Sequence, residues 1–155
     1  VLGAEKVATA TSHEIHVPLE NAVAAVDRIL EIAKKNEGKG LFHTSPLGVR
    51  FIAASPHWLS MDYGRESCSI EIPMLVGTPS AYDMLDEIEE ALYELDGRPH
   101  WGQHNILTHA RARDFYPNFN RWLEYYKRFN QFGTFENKFT RRMRFPSVVH
   151  RTTDD

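Results

Sequence analysis

The densest run of reactive side chains in the sequence is Arg98-Pro99-His100-Trp101-Gly102-Gln103-His104-Asn105. A proline, a glycine, an indole and two imidazoles so close together suit a rigid loop that presents polar tips to a ligand. The same composition also suits a connection between elements whose Trp101 fills the core. His13 and His16 lie three apart, so on a strand they point to opposite faces and cannot share a metal directly; no metal site is expected. Cys68, the lone cysteine, reads as a small core residue and excludes an internal disulfide or a thiolate-rich metal site. There is no glycine-rich phosphate loop at a strand-to-helix turn, no serine elbow and no helix-borne histidine pair. The residues alone complete no catalytic set.

The elements that must position this loop can be read from periodicity. From Ser12 to Pro18, His13, Ile15 and Val17 alternate with Ser12, Glu14 and His16, which predicts a half-buried strand. Leu19, Ala22, Val23, Val26, Ile29, Leu30 and Ala33 then fall on one helical stripe running to about Lys35, with Gly38 and Gly40 as the stop. A second strand is predicted within Phe42 to Ala53, with Leu47, Val49, Phe51 and Ala53 on one parity. A third spans Ser67 to Val76, with Cys68, Ile70, Ile72 and Met74 on one face and Ser69, Glu71 and Pro73 on the other. Thr78-Pro79-Ser80 opens a second helix, with Ser80 and Asp83 at capping-box spacing and Met84, Leu85, Ile88, Leu92 and Leu95 inward. Gly97 ends it. Pro117 begins a third helix with Phe119, Trp122, Leu123, Tyr126 and Phe129 on one face. Strand, helix, strand, strand, helix is the opening of a ferredoxin-like α+β fold: an antiparallel sheet with helices packed on one face.

The 155 residues are 42% hydrophobic and 25% charged, which fits one globular domain and excludes a disordered chain. No apolar run approaches the roughly 18 residues that span a bilayer. Charge is split: residues 1–97 carry 7 Lys and Arg against 16 Asp and Glu, and residues 98–155 carry 11 against 5. A basic second half would suit RNA, but no aromatic RNP pattern sits on the predicted strands, so no nucleic-acid partner is expected. The first residue is Val1, with no leader after it, which reads as a cut through something longer. One cysteine and the lack of a leader favour the cytoplasm.

Several spaced segments together resemble the aldonolactone oxidase and alditol oxidase family, FAD-linked enzymes of the vanillyl-alcohol oxidase superfamily. Arg98-Pro99-His100-Trp101-Gly102 resembles the family's GRPHWGK or GRPHWAK segment. His16-Val17-Pro18-Leu19 before an amphipathic helix is similar to the opening of its substrate domain, and Val49-Arg50-Phe51 to its E-x-R-F strand. Trp58-Leu59-Ser60 with Tyr63-Gly64-Arg65-Glu66-Ser67 resembles LSP-x-Y-x-R-D-S. Asp114-Phe115-Tyr116-Pro117 and the run from Phe129 to Asn137 are similar to D-F-x-x-x-Y-P and L-D-P-x-G-x-F-x-N. The likeness covers about residues 14–143.

The resemblance implies a C-terminal substrate domain whose FAD is bound mainly by an N-terminal domain of the whole protein. It further implies a small-molecule alcohol or lactone as substrate, oxidised by hydride transfer to flavin in the manner of a D-arabinono-1,4-lactone oxidase. Some members of the family sit at membranes, although nothing in this sequence is a strong membrane signal. In the family a strand glutamate, an arginine two residues on, a polar residue of the next strand and the lysine of HWGK serve the reaction. Arg50 matches the arginine, but Gly48 stands at the glutamate and Gln103 at the lysine, and an ungapped count puts Glu71 on the next strand. Arg50 and Glu71 are therefore the expected catalytic pair. His100, Trp101, Gln103 and His104 are expected against the substrate, and His100, Gly102 and Asn137 toward the cofactor. The loss of two ionisable groups points to a substrate less polar than a sugar lactone. It also supports the alternative of a catalytically altered or non-enzymatic interaction domain.

Overall fold

A computed structural model describes residues 9–147. Ala10–Pro18 forms β1, and Leu19–Asn21 makes a single 3-10 turn into α1 (Ala22–Glu37); β2 (Gly48–Ile52), β3 (Ser67–Leu75), α2 (Ala81–Tyr93) and a two-residue β4 (Arg98–Pro99) follow. Three short helices complete the described chain: α3 (His109–Phe115), α4 (Phe119–Phe129) and α5 (Lys138–Arg142). The sheet order is β2-β3-β1-β4 and every pairing is antiparallel. This is the expected α+β, ferredoxin-like arrangement, completed by a fourth strand too short to show in the periodicity.

By its contacts the chain divides into two compact units. One comprises the chain up to Pro56 with Ser60–Ile106 and holds the sheet, α1 and α2; the other comprises His57–Leu59 and the residues from Leu107 onward. In the first, Ile15 and Val17 of β1 and Cys68, Ile70, Ile72 and Met74 of β3 are buried with Ala25, Ile29 and Ile32 of α1 and Met84, Leu85, Ile88 and Leu92 of α2. Each large side chain so buried stabilises by about 1.5–3 kcal/mol relative to exposure. In the second, Phe145 is ringed by Phe119, Trp122, Tyr126 and Phe139, with centroids 5.1–6.1 Å away.

Local expectations need correction in five places. The buried stripe of α1 is Ala25, Ile29, Ile32 and Asn36, whereas Val23 is 73% and Leu30 54% exposed. Two overlapping stripes satisfy the helical period, and packing against α2 selects the second; the Asn36 amide donates to the Ile32 carbonyl (2.9 Å) and Glu87 (3.2 Å). β2 is shorter than expected. Before it Thr44 Oγ1 accepts from Leu75 N–H (2.9 Å), a side chain standing where a ladder bond would be. On this edge strand the apolar parity, Val49 and Phe51, is exposed. Ser80 makes no capping box, because its φ of 55° turns its side chain out of reach and Ala81 N–H closes a turn on the Thr78 carbonyl instead (3.2 Å). Phe129 lies outside the buried face of α4, at 72% exposed.

Candidate functional site

Strand register places the polar side chains in rows across the face of the sheet opposite α1 and α2. Gly48 of β2 pairs with Glu71 of β3, and Glu71 pairs with Glu14 of β1. The adjacent row is Arg50, Ser69, His16 and Arg98, one residue from each strand. Period-two alternation puts all of these on one face because the inward parity is taken by Ile15, Val17, Cys68 and Ile70.

Arg50 and Glu71 meet as expected: Arg50 Nη2 donates to Glu71 Oε2 at 2.7 Å. The same nitrogen reaches Glu14 Oε1 at 3.5 Å. Glu71 Oε1 accepts from Ser12 Oγ at 3.2 Å. A β-carbon at Gly48 would lie 3.4 Å from Glu71 Cβ and 3.6 Å from Oε2, ordinary van der Waals contact, so the glycine stands directly beside that carboxylate.

Sequence reasoning missed the most connected residue, Glu14. Its carboxylate accepts from Ser69 Oγ, from Arg50, and from Gln103 Nε2 (3.3 Å), and lies 3.2 Å from His16 Nε2. Burial alone would raise its pKa, but the Ser69 hydrogen bond, the charge and hydrogen bond of His16 and the charge of Arg50 hold it below the usual carboxylate range. His16 in turn places Nδ1 2.7 Å from Asp62 Oδ1, so one buried imidazole spans two carboxylates. A neutral imidazole donates from one nitrogen only, so this trio holds a proton beyond that tautomer or meets one carboxylate with a lone pair. The signal for Glu14 was its place between Ser12 and His16 on the polar parity of β1; what was hidden was the register that sets it against Glu71.

The loop after β4 follows β1, with His100 N–H donating to the Glu14 carbonyl (2.8 Å) and His104 N–H to the Ser12 carbonyl (3.3 Å). This carries Gln103 to the site. Gln103 Nε2 donates to Glu14, and its Oε1 is buried with no hydrogen-bond partner among the described residues. His100 Nδ1 accepts from Gly102 N–H (3.1 Å), and half-buried Trp101 lies in the same turn.

His104 is not brought to Arg50 and Glu71. Its Nε2 meets Asp86 Oδ1 of α2 at 2.6 Å and its ring lies 5.0 Å from that of Tyr82, on the helix side of the sheet. There too lies His13, fully buried, with Nδ1 on the His104 carbonyl and Nε2 3.3 Å from Glu89 Oε2, an ion-pair distance without hydrogen-bond alignment. Burial lowers the His13 pKa to about 4, which keeps that imidazole neutral near pH 7, and burial raises the pKa of Glu89. Asn137, in the second unit, uses both polar atoms locally: Oδ1 caps Thr140 N–H (3.0 Å) and Nδ2 donates to the Phe135 carbonyl (3.4 Å). Among the described residues no cluster of three or more metal-ligating side chains occurs, and no helix is long and apolar enough to cross a membrane.

The sequence pattern of the D-arabinono-1,4-lactone oxidase family matches residues 4–143. An L-gulono-1,4-lactone dehydrogenase of Mycobacterium tuberculosis is 31% identical over 136 residues, 88% of this chain and 31% of the relative. An alditol oxidase of a Streptomyces species is 29% identical over 93 residues, 60% of this chain and 22% of the relative. An L-gulonolactone oxidase of Scyliorhinus torazame is 26% identical over 134 residues, 83% of this chain and 30% of the relative. The chain thus spans less than a third of the length of the curated relatives it matches. With the family pattern matched along nearly all of its described residues, the chain belongs to the D-arabinono-1,4-lactone oxidase family.

Proposed function

We propose that this chain is the substrate-facing part of an FAD-dependent oxidoreductase that oxidises a CH–OH group of a sugar lactone, alditol or related alcohol. Family membership supports the reaction class, since the relatives are named as a lactone dehydrogenase, an alditol oxidase and a gulonolactone oxidase. The observation that carries the reading to residues is Arg50 bridging Glu71 and Glu14 beside the unpartnered oxygen of Gln103. Such a face offers fixed, hydrogen-bonded charges to a hydroxylated ligand.

The donor set is compatible with a separate hydride acceptor, which in this reading is an FAD held mainly by an N-terminal domain of the whole protein. Carboxylates, a guanidinium and an amide can bind an alcohol and take its proton, but none of them can accept a hydride. A bound flavin would supply the hydride acceptor that these residues lack. Glu71, with only a glycine beside it at position 48, takes the hydroxyl proton, and Arg50 orients the oxygen and keeps the carboxylate in place. Gln103, His100 and Trp101 line the substrate from the loop. His104 serves from the other side of the sheet, where its bond to Asp86 pins that loop. His100 and Gly102 have a turn to present to the flavin, whereas Asn137 contributes by capping α5.

The test is anaerobic flavin bleaching in the complete, flavin-loaded protein, screened with alcohols and lactones. Glu71→Gln should slow flavin reduction by about 10²–10⁴-fold. Unchanged reduction in that variant would remove Glu71 from the role. A complete protein that binds no flavin, or that no alcohol or lactone reduces, would favour the non-enzymatic reading that Gly48 and Gln103 also support.

A further inference from the structure

The loop that brings Gln103 to Glu14 is held from the opposite face of the sheet. Asp86 and Glu89 of α2 lie one turn apart, on the same side of that helix. Asp86 Oδ1 meets His104 Nε2 at 2.6 Å, and Glu89 Oε2 accepts from Ile106 N–H at 3.0 Å. Between the two tied residues stands Asn105, whose Nδ2 turns back to donate to the carbonyls of Gln103 (3.0 Å) and His100 (3.2 Å). His13 Nδ1 reaches the loop from the same side, donating to the His104 carbonyl. Gln103 itself makes no backbone hydrogen bond to β1 among the described residues, so its place is set by its neighbours in the loop. Glu89 is the more telling of the two acids. It is fully buried beside Leu85, Ile88 and Leu92, where an apolar side chain would avoid the cost of desolvating a carboxyl group. Both of its oxygens are used, Oε1 accepting from the Tyr93 hydroxyl and Oε2 from the loop.

We infer that Asp86 and Glu89 are positioning residues for the candidate site: acting through His104, Asn105 and Ile106, they set where Gln103 stands against Glu14. The inference rests on the alcohol-oxidising reading above and extends that site through the sheet to α2. The line of contacts is continuous. Glu89 fixes the Ile106 amide and Asp86 the His104 ring, Asn105 between them holds the Gln103 carbonyl, and Gln103 Nε2 donates to Glu14 at 3.3 Å. A side chain whose own backbone is unpaired keeps a productive geometry only while the groups around it are locked, and here the lock is two carboxylates on a helix packed into the core.

The test compares Glu89→Leu, Glu89→Gln and Asp86→Ala in the complete flavin-loaded protein, by turnover of an alcohol substrate and by amide hydrogen exchange. Glu89→Leu should raise KM about five- to tenfold, the worth of one hydrogen bond, with kcat within about twofold of the parent. Glu89→Gln should restore KM, because its amide can accept from Ile106 N–H and donate to the Tyr93 hydroxyl. Asp86 is only partly buried, so Asp86→Ala should fold and raise KM in the same way even if Glu89→Leu does not fold. In a Gln103→Ala background both substitutions should add less than about twofold. Full additivity overturns the inference, as does an unchanged KM. His104 N–H bonds the Ser12 carbonyl and neither carboxylate, and its exchange should quicken about tenfold while Ile70 in β3 stays protected. Protection lost throughout the sheet would mark a merely structural role and overturn the inference. If no alcohol reduces the flavin of the unsubstituted protein, the alcohol-oxidising reading fails, and the exchange of His104 decides the positioning by itself.

Discussion

Glu14 and Glu71 stand directly opposite one another on neighbouring antiparallel strands, and one nitrogen of Arg50 serves both carboxylates, at 3.5 and 2.7 Å. Like charges in that relation destabilise a strand pair by up to about 1 kcal/mol when nothing lies between them. Arg50→Gln should therefore weaken the fold at pH 7. The sign of its pH dependence follows from Glu14, whose folded pKa is depressed. Stability from such a group is present above the unfolded carboxylate pKa and is lost as pH falls through the folded one. The deficit of Arg50→Gln should accordingly be largest near neutrality and close as the carboxylates protonate; urea denaturation at both ends of that range reads it directly.

The row Gly48, Glu71, Glu14 has room for two carboxylates because its third position is a glycine. Gly48→Glu introduces the side chain that the family resemblance implies at this position but sets three acids in line, its β-carbon 3.4 Å from that of Glu71. The single variant should melt lower at pH 7 and recover on acidification. Gly48→Glu combined with Glu71→Gln should regain much of the loss, giving a coupling energy of about 1 kcal/mol or more in a double-mutant cycle. Additive effects would mean that the two positions do not share a site.

His13 gives stability a dependence of its own. Its folded pKa of about 4 lies below the 6.5 of an exposed histidine, so between these values the unfolded chain binds the extra proton and the folded chain does not. Stability should fall as pH drops from about 6.5 toward 4, by about 3 kcal/mol at most. Glu89, raised by burial, acts in the opposite sense: its proton is held in the fold above the ordinary carboxylate range, and that contribution is lost as pH rises. His13→Leu should flatten the decline between pH 6.5 and 5. A slope unchanged by the substitution would show that another group carries it.

The sheet and its two covering helices were legible because strand parity and helical period are local properties of Ile15, Val17, Ile70, Ile72, Leu85 and Leu92. Arg50 and Glu71 could be paired in advance for the same reason, since both lie on the polar parity of strands expected to adjoin. Glu14 was not legible as the most connected residue, because its role comes from register with Glu71 and from a loop 89 residues away that delivers Gln103. The position of His104 was hidden likewise: its backbone follows β1 on the site side while its imidazole turns to Asp86. The sequence also could not choose between two equally periodic stripes on α1, a choice made by packing against α2.

Gly97 joins α2 to the site, and its side of the argument is steric. A β-carbon there would lie 2.6 Å from the Leu92 carbonyl oxygen and 2.9 Å from Ile15 Cγ2. Neither neighbour can give way cheaply. The carbonyl already accepts the Gly97 N–H at 2.9 Å, and Ile15 is fully buried in the central strand. Gly97→Ala should cost about 1–3 kcal/mol or somewhat more, as overpacking of a rigid core does. Gly40→Ala, at a φ of 77° but with nothing near its β-carbon, should cost about 1–2 kcal/mol for the backbone alone and leave the site intact. The functional readout separates them further. Gly97 precedes Arg98 and Pro99, whose pairing with His16 and Ile15 starts the loop that carries Gln103 to Glu14. Gly97→Ala in the complete protein should thus raise KM for an alcohol substrate at a temperature where both variants remain folded, while Gly40→Ala should not.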